Sequence, residues 1–290
     1  MAAKREIIKA AVDQEGKKYC PLCPKACRLQ EGQRGFCSTR QLQAYDIIPL
    51  SYGKISSLAL DRIEKKPLAR FYPGSHILSV GAIGCNMACP FCQNYHIARA
   101  KPESSNLYKA SPEDLLQLAL AQKDKGNIGL AFTYNEPLIN FEYLIDCFQL
   151  CREEGLETVL VSNGQITETY LRELLPLVTA WNIDLKAFSA KAYEKMGGNL
   201  EASLRTIVLA SEYSHVEVTT LLVPGLSDDE EAFHEEVKFL SKLPKQAVLH
   251  ISRYFPNYLY QAAATPIETL WKFYDLAKER LDYVYLGNVY

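Results

Sequence analysis

Residues 76–94 read HILSVGAIGCNMACPFCQN, and this stretch decides the fold that we expect. Its first part, His76–Ile83, is a short apolar run of the kind that forms a strand buried in a parallel sheet. Gly84 follows directly and opens a loop that carries three cysteines. Parallel α/β folds place their chemistry at the carboxyl ends of the strands. We therefore expect this loop to line an active site.

The run His76–Ile83 is the first of six that alternate with segments of helical periodicity. The other runs are Ile128–Tyr134, Glu157–Ser162, Ala180–Leu185, Val216–Val223 and Ala247–Ser252. The predicted helices are a capped one that starts at Ser111-Pro112, then Leu138–Glu154, Thr167–Val178, Ser227–Leu243 and Pro266–Arg280, before a short strand at Tyr283–Leu286. Six β/α units are too few for a closed eight-stranded barrel. The pattern therefore predicts a partial, TIM-like (β/α)6 barrel of the α/β class.

The first 50 residues do not follow the alternating pattern, because they are rich in cysteine and contain no long apolar run. We interpret them as a small metal-binding head. The predicted division is a head at 1–50, a connector at 51–75, a partial barrel at 76–255 and a helix–strand extension at 256–290.

Composition excludes several function classes. The 290 residues are 48% hydrophobic and carry a net charge of -2, which predicts a sizeable core and no binding to nucleic acid or to anionic membranes. No apolar run approaches the roughly 20 residues that a membrane span needs. The segment Met1–Lys18 has no apolar signal core, so we expect a cytoplasmic protein.

Seven of the nine cysteines fall in two tight groups. In a cytosolic chain, clustered cysteines bind metal more often than they form disulfides. Cys85, Cys89 and Cys92 have the spacing Cys-x3-Cys-x2-Cys, which lets one short loop wrap an iron–sulfur cubane. Three thiolates leave one iron of a four-iron cluster open to a substrate or cofactor. The alternatives are a zinc site or an incomplete ferredoxin motif.

This spacing resembles that of the radical S-adenosylmethionine (SAM) superfamily, and further motifs follow in the same order. Thr133–Pro137 occupies the place of the family's Gly-Gly-Glu motif, with Tyr134 and Asn135 replacing the glycines. The resemblance implies a [4Fe–4S] cluster that cleaves SAM reductively to a 5′-deoxyadenosyl radical. It also implies that Phe91 lies near the adenine and that Glu136 receives the amino group of SAM, with Asn135 beside it as a further cofactor-binding candidate.

Four later strand ends supply further candidates for the cofactor site. Ser162 and Asn163 correspond to a family motif near the ribose and carboxylate of SAM, although Val161 replaces an acid of that motif, which puts a cation site known from some relatives in doubt. Asp184 and Lys186 match an Asp-x-Lys pair beside SAM. Thr219 and His250 are further candidates for the cofactor site. The alternatives are a surface acid at Glu136, a solvated pair at Asp184 and Lys186, and a core residue at His250.

The motifs are most similar to those of the pyruvate formate-lyase activating enzyme-like branch, and within it to the radical SAM member of the AmmeMemoRadiSam system. That resemblance implies an anaerobic activating enzyme, an oxidoreductase that takes electrons from a flavodoxin- or ferredoxin-type donor and generates a glycyl radical on a partner protein. Two alternatives remain open. One is radical modification of a small molecule or peptide, and the other is a non-catalytic iron–sulfur electron carrier.

The second cysteine group has the spacing Cys-x2-Cys-x3-Cys-x9-Cys and consists of Cys20, Cys23, Cys27 and Cys37. Four thiolates can fully ligate either a structural zinc ion or an auxiliary [4Fe–4S] cluster. Basic neighbours such as Lys25 and Arg40 would offset the negative charge of either site. The remaining pair, Cys147 and Cys151, shares one face of a predicted helix and is expected to pack in the core.

Overall fold

The computed structural model describes residues 5–103 and 106–289. The first four residues of the predicted head and the last residue of the predicted extension lie outside the described residues. All residues that the sequence marks as site candidates lie within them.

An open sheet of eight strands forms the centre of the molecule. Its strands are β1 Ser57–Arg62, β2 His76–Gly81, β3 Asn127–Thr133, β4 Glu157–Ser162, β5 Ala180–Asp184, β6 His215–Leu222, β7 Val248–Arg253 and β8 Tyr283–Gly287. They are hydrogen-bonded in the order β8-β7-β6-β5-β4-β3-β2-β1. Strands β2 to β8 are parallel, and β1 is antiparallel to β2. The described sheet therefore confirms a partial parallel barrel.

Two strands extend this sheet beyond the six that we expected. The final strand β8 pairs in parallel with β7, with Tyr283 opposite Val248, so it is a seventh barrel strand. Strand β1 lies inside the predicted connector, where its six residues are all exposed or only partly buried. An edge strand of this kind lacks the continuous apolar pattern of a central strand, which explains why the sequence did not indicate it.

Helices cover the sheet between its strands. They are α1 Tyr95–Ala98, α2 Pro112–Leu120, α3 Phe141–Glu153, α4 Glu168–Leu174, α5 Ala190–Lys195, α6 Leu200–Tyr213, α7 Glu230–Leu240 and α8 Ile267–Lys278, with single 3-10 turns at Ile63–Lys65, Lys123–Lys125, Pro137–Asn140 and Leu175–Leu177. The predicted start of α2 is confirmed by a capping box between Ser111 and Asp114. Helices α5 and α6 were not predicted, although Ser189 and Asn199 cap their first turns.

The head consists of short antiparallel pairs that pack directly on the barrel. These pairs join Ala11–Val12 to Lys18–Tyr19 and Arg40–Gln43 to Asp46–Pro49, and a third pair joins Lys54–Ile55 to Tyr108–Lys109. Apolar head residues belong to the same continuous core as the barrel: Ile8, Leu22, Leu29, Leu42 and Ile47. Among the residues that the structure describes, every helix is too short or too polar to cross a membrane.

Candidate active site

A cavity of about 250 Å³ opens at the carboxyl ends of the central strands. It is lined by two groups of residues that the sequence had marked: the three cysteines of the first group, and Phe91, Asn135, Glu136, Asn163, Asp184, Lys186 and Thr219. Loops after β2, β3, β4 and β5 supply most of these side chains, because parallel strands direct their carboxyl ends to one edge of the sheet.

The loop that carries Cys85, Cys89 and Cys92 is held by contacts on both sides. Gly84 has a φ of +86°, and a Cβ atom there would lie 2.7 Å from the carbonyl oxygen of Cys37, so only glycine fits. The Ala88 amide donates to the Met196 carbonyl at 2.8 Å. These contacts fix the loop with its three cysteines on the cavity.

Burial makes the free thiolates of this loop unfavourable. It raises the pKa of Cys85 well above the usual value for a thiol and that of Cys89 to about 11, although Lys186 opposes the shift at Cys89. Thiols in such surroundings ionise readily only when a metal compensates the charge. The donor set therefore fits an iron–sulfur cluster.

Glu136 is buried, with 3% of its surface exposed, and its carboxylate lies at the centre of a hydrogen-bond network. Its Oε1 accepts from the Leu138 amide at 3.0 Å and from the Ser162 hydroxyl at 2.7 Å, and its Oε2 accepts from the Asn163 amide at 2.8 Å. Burial nevertheless raises the pKa of Glu136 to about 7. A carboxylate has about four acceptor positions, so one remains for a ligand.

Tyr134 and Asn135, which replace the two glycines of the family motif, make different contacts. Tyr134 has a φ of +72°, a left-handed conformation that favours glycine, and its hydroxyl donates to Asp61 at 2.6 Å. Asn135 connects two loops, since its Oδ1 accepts from the Ala82 amide at 2.9 Å and its Nδ2 donates to the Gly84 carbonyl at 3.1 Å. Its side chain therefore braces the cavity wall as well as lining it.

Asn163 lines the cavity, whereas Ser162 lies behind the cavity wall. The Ser162 hydroxyl donates to Glu136, and Ser162 is not among the residues that line the cavity, so its direct contact with a cofactor stays a prediction. The Asn163 Nδ2 atom lies 3.8 Å from the Cys85 Sγ atom and 2.9 Å from Oδ1 of Asn86. Asn163 thus connects the carboxylate network to the cysteine loop.

Asp184 and Lys186 form an ion pair at the end of β5, with 2.9 Å between Oδ2 and Nζ. Burial opposes the charge of Lys186, but Asp184 and the Cys89 sulfur together raise the pKa of this lysine above its usual value. Thr219 faces the cavity from β6 and exchanges hydrogen bonds with the Asn182 amide at 2.9 and 3.0 Å. The ion pair of Asp184 and Lys186 is therefore part of the cavity wall and not a solvated pair at the surface.

His250 lies deeper in the barrel and is not among the residues that line the cavity, so its contact with a cofactor stays a prediction. Its Nε2 lies 2.5 Å from Oε2 of Glu217, and its ring stacks on Tyr285. Burial opposes the charge of Glu217, yet hydrogen bonds from His215, His250 and two backbone amides hold its pKa at about 2. His250 is therefore a core residue with a charged partner.

Sequence reasoning missed several residues of the cavity wall: Gln93, Asn94, Tyr134, Leu221, Ser252 and Asn288. Two of them had a detectable signal. Leu221 and Ser252 lie two residues after Thr219 and His250, and alternate residues of a strand face the same side. Asn288 follows a strand that we had not assigned to the sheet.

The second cysteine group lies directly behind the first. Cys20, Cys23, Cys27 and Cys37 line one small cavity in the head, which Asn86 of the other cysteine loop also lines. All nine cysteines are free thiols. No group of three or more His, Cys, Asp or Glu side chains within residues 5–103 and 106–289 converges as ligands of a single metal ion.

Comparison with known proteins identifies the family. The model of the radical SAM superfamily matches residues 80–237, which include the three cysteines and strands β3 to β6. The chain belongs to the radical SAM superfamily. This family implies a [4Fe–4S] cluster and SAM, and Cys85, Cys89 and Cys92 are thiols of the kind that such a cluster requires.

Relatives within the radical SAM superfamily cover different shares of the chain. An uncharacterized protein of Methanocaldococcus jannaschii is 38% identical over 280 residues, which are 95% of this chain and 82% of that protein. The pyruvate formate-lyase 1-activating enzyme of Escherichia coli K12 is 26% identical over 54% of this chain and 65% of its own length. A crystal structure of a radical SAM methyltransferase from Sphaerobacter thermophilus has a TM-score of 0.55 and 16% identity, over 74% of this chain and 67% of that chain, and shows the same fold.

Proposed function

We propose that this radical SAM protein is an activating enzyme that removes a hydrogen atom from a glycine of a partner protein. The lining of the cavity is the observation that supports the radical step. Three thiols of one loop and a buried carboxylate with a free acceptor position line the same cavity at the strand ends. When bound there, the cluster and SAM supply a 5′-deoxyadenosyl radical that abstracts hydrogen.

The residues of the cavity each position part of this chemistry. We assign Cys85, Cys89 and Cys92 to the cluster and Glu136 to the amino group of SAM, because a carboxylate is the natural acceptor for an ammonium. Ser162 orients that carboxylate from behind. Asn163, Asp184, Lys186 and Thr219 provide polar contacts for the rest of SAM, and Phe91 supplies an apolar wall for the adenine.

The partner and the electron donor are inferred from the branch to which the chain is similar. Relatives named as activating enzymes of pyruvate formate-lyase include those of Escherichia coli and Clostridium pasteurianum. A protein partner also suits the exposed apolar segment near the cavity, where Leu259 is 70% exposed and Tyr95 stacks on Tyr258 at 4.3 Å. We infer a reduced flavodoxin- or ferredoxin-type protein as electron donor, and an anaerobic, cytoplasmic setting that keeps the nine thiols reduced.

One observation favours a second candidate substrate, a peptide or small molecule. A cleft of about 290 Å³ lies between the head and the barrel and is lined by Cys23, Lys25, Asn86 and Glu194 among others. It could hold a substrate beside the cysteine loop. Detection of a glycyl radical by electron paramagnetic resonance on a co-encoded partner would favour the first candidate, and product on a peptide without such a radical would favour the second.

The radical step is tested by replacing Cys85, Cys89 and Cys92 with alanine together. We expect loss of iron from this loop and no formation of 5′-deoxyadenosine from SAM under strong reduction, because the thiolate ligands are gone. The matched control is Cys151→Ala, which removes a buried thiol from α3, outside the cavity, and should retain SAM cleavage. Continued 5′-deoxyadenosine production by the triple variant would contradict the assignment.

A further inference from the structure

Tyr134 combines a strained backbone with a large side chain in the wall of the active-site cavity. Its φ of +72° lies in the left-handed region, which favours glycine, and the family motif has glycine at this position. A residue other than glycine keeps such a conformation only when the surrounding structure holds it there. The contacts of Tyr134 therefore show what fixes this part of the cavity wall.

Three contacts hold Tyr134 in this conformation. Its hydroxyl donates to Oδ2 of Asp61 in β1 at 2.6 Å. Its ring lies against Gly81 of β2, where an added Cβ atom would come within 2.9 Å of the ring atom Cδ2. Its carbonyl oxygen accepts from Nδ2 of Asn94 at 2.8 Å. The side chain is thus anchored on β1, and the backbone is bonded to the loop that carries the three cysteines.

Asp61 is itself held by the buried Lys66. The Lys66 side chain is 1% exposed, and its Nζ atom lies 2.7 Å from Oδ2 of Asp61 and 4.9 Å from the centre of the Tyr134 ring. An ammonium group over the face of an aromatic ring is attracted by the ring electrons. Burial opposes the charge of Asp61, yet hydrogen bonds from Lys66 and Tyr134 hold its pKa at about 2. Near neutral pH the Tyr134 hydroxyl therefore donates to an anion.

The segment that carries Lys66 is bonded to strands β5 and β6. The Pro67 carbonyl accepts from Nδ2 of Asn182 in β5 at 2.8 Å. The Ala69 amide donates to Oε2 of Glu217 in β6 at 2.9 Å. Neither contact involves the loop after β3, so both can hold Lys66 in place independently of that loop.

We propose that Tyr134, Asp61 and Lys66 are positioning residues that fix the loop after β3, and with it Glu136, for the binding of SAM. The inference rests on the proposed function, in which Glu136 receives the amino group of SAM. Tyr134 precedes Glu136 by two residues, and its carbonyl is bonded to Asn94 of the cysteine loop. The anchor therefore sets the carboxylate and the thiols of the cavity relative to each other. Glycine would relieve the backbone strain at this position but would provide no anchor.

The affinity for SAM tests the anchor, measured by calorimetry on the reconstituted protein without a reductant. In Tyr134→Phe we expect the Kd of SAM to rise about tenfold, the lower range for loss of a hydrogen bond to a charged group. Under reduction the change should appear in the KM for SAM more than in kcat, because the anchor acts on binding. Tyr134→Gly should bind SAM as weakly as Tyr134→Phe, since it also lacks the hydroxyl. Wild-type affinity in either variant would overturn the proposal.

Tyr143→Phe is the matched control for these variants. The Tyr143 hydroxyl is buried and donates to the Ala110 carbonyl at 2.8 Å, and Tyr143 is not among the residues that line the cavity. Its loss should lower the free energy of unfolding but leave the Kd of SAM unchanged. An equal rise of the Kd in Tyr143→Phe would mean that any buried hydroxyl has this effect, and would overturn the positioning role.

A double-mutant cycle tests whether Asp61 and Lys66 act through Tyr134. Asp61→Leu and Lys66→Met are combined in one variant, so that neither charge is left buried without its partner. This variant should raise the Kd of SAM as much as Tyr134→Phe does. Adding Tyr134→Phe to it should cause no further rise, because both changes remove the same hydrogen bond. Additive effects would overturn the connection from Lys66 to Tyr134.

Hydrogen exchange before SAM is added separates this proposal from the proposed function. The Glu136 amide donates to the Gly84 carbonyl at 3.3 Å, so its exchange reports on the loop after β3. In Tyr134→Phe this amide should exchange faster relative to the amides of β4, because the loop has lost its anchor. Unchanged exchange at Glu136 would overturn the anchor even in a protein that cleaves SAM. Wild-type protein that neither binds nor cleaves SAM would instead contradict the radical function.

Discussion

At the scale of single residues, two buried glutamates show how hydrogen bonding sets the charge of a carboxyl group. Glu136 accepts from three donors, and its pKa is raised by burial only to about 7. Glu236 is 1% exposed and accepts from the Thr220 hydroxyl, and burial raises its pKa further, to about 8. The extra donors at Glu136 preserve its capacity to be an anion near neutral pH, which a partner for an ammonium group needs.

Glu236 gives a prediction about stability and pH. Its carboxyl holds a proton in the folded chain up to about pH 8, whereas the unfolded chain releases it near the ordinary value of 4.5. The folded state therefore binds more protons within this window, and the free energy of unfolding should fall by about 1.4 kcal/mol per pH unit as pH rises through it. Glu236→Gln should remove that part of the slope.

The measurement is anaerobic urea unfolding between pH 5 and pH 9 for wild type and Glu236→Gln. The Gln variant should gain stability relative to wild type as pH rises to about 8, and the difference should then level off. Glu235→Gln is the matched control, because Glu235 is 59% exposed in its side chain and pairs with Lys238 at the surface. Parallel curves for wild type and Glu236→Gln would contradict the prediction.

At the scale of elements, one ion pair connects the head strand Arg40–Gln43 to helix α3. The Arg40 Nη2 atom lies 2.5 Å from Oε2 of Glu142, and both side chains are at most 2% exposed. The Arg40 Nε atom also donates to the Ile139 carbonyl at 2.8 Å. Removing one partner leaves the other charge buried, which costs about 3–5 kcal/mol, whereas replacing both with apolar residues is often nearly neutral.

We therefore expect Arg40→Met alone and Glu142→Leu alone to destabilise the protein strongly, and the double variant to recover much of the loss. A double-mutant cycle of urea unfolding measures the coupling, with iron content followed in each variant because Arg40 lies beside the second cysteine group. Arg28→Met is the control, since the Arg28 side chain is 53% exposed and pairs with Asp13 and Glu15 near the surface, where such pairs contribute about 0–1 kcal/mol. Additive effects of the two buried substitutions would contradict this account.

The elements that the sequence predicted well are those with a continuous apolar run. Strand β4 at Glu157–Ser162 has the predicted bounds, and β2, β3, β5, β6 and β7 differ by one or two residues at their ends. Edge strand β1 was missed because all six of its residues are exposed or only partly buried. Helices α5 and α6 were missed although Ser189 and Asn199 cap them, because small and polar residues such as Ser203, Thr206 and Ser211 occupy much of the buried face of α6.

At the scale of the whole molecule, the sequence indicated the position of the candidate site but not which side chains lie beneath the cavity wall. Cysteine spacing and strand ends were sufficient to bring Cys85, Glu136 and Asp184 to one cavity. Cysteine spacing and strand ends do not distinguish a side chain that lines the cavity from one that is buried beneath its wall. His250 and Ser162 are such cases, because a buried acid attracts each of them by hydrogen bonding, and the positions of those acids depend on tertiary packing.

The contact between head and barrel gives a prediction for the whole chain. Ile8, Leu22 and Leu42 share one continuous core with the barrel, and the Thr167 amide donates to the Leu22 carbonyl at 2.9 Å. We therefore expect that residues 5–50 do not fold independently of the barrel. We expect head and barrel to unfold together in a single transition.

Hydrogen exchange at increasing urea concentration tests this expectation. The amide of Ile47, bonded to the Ile8 carbonyl at 2.8 Å, reports on the head, and amides in β2 report on the barrel. Both should open with the same free energy and the same dependence on urea, because their exchange requires the shared core to open. A smaller urea dependence for the head amides would mean that the head opens alone. In that case the second cysteine group would become exposed to solvent while the barrel stays folded.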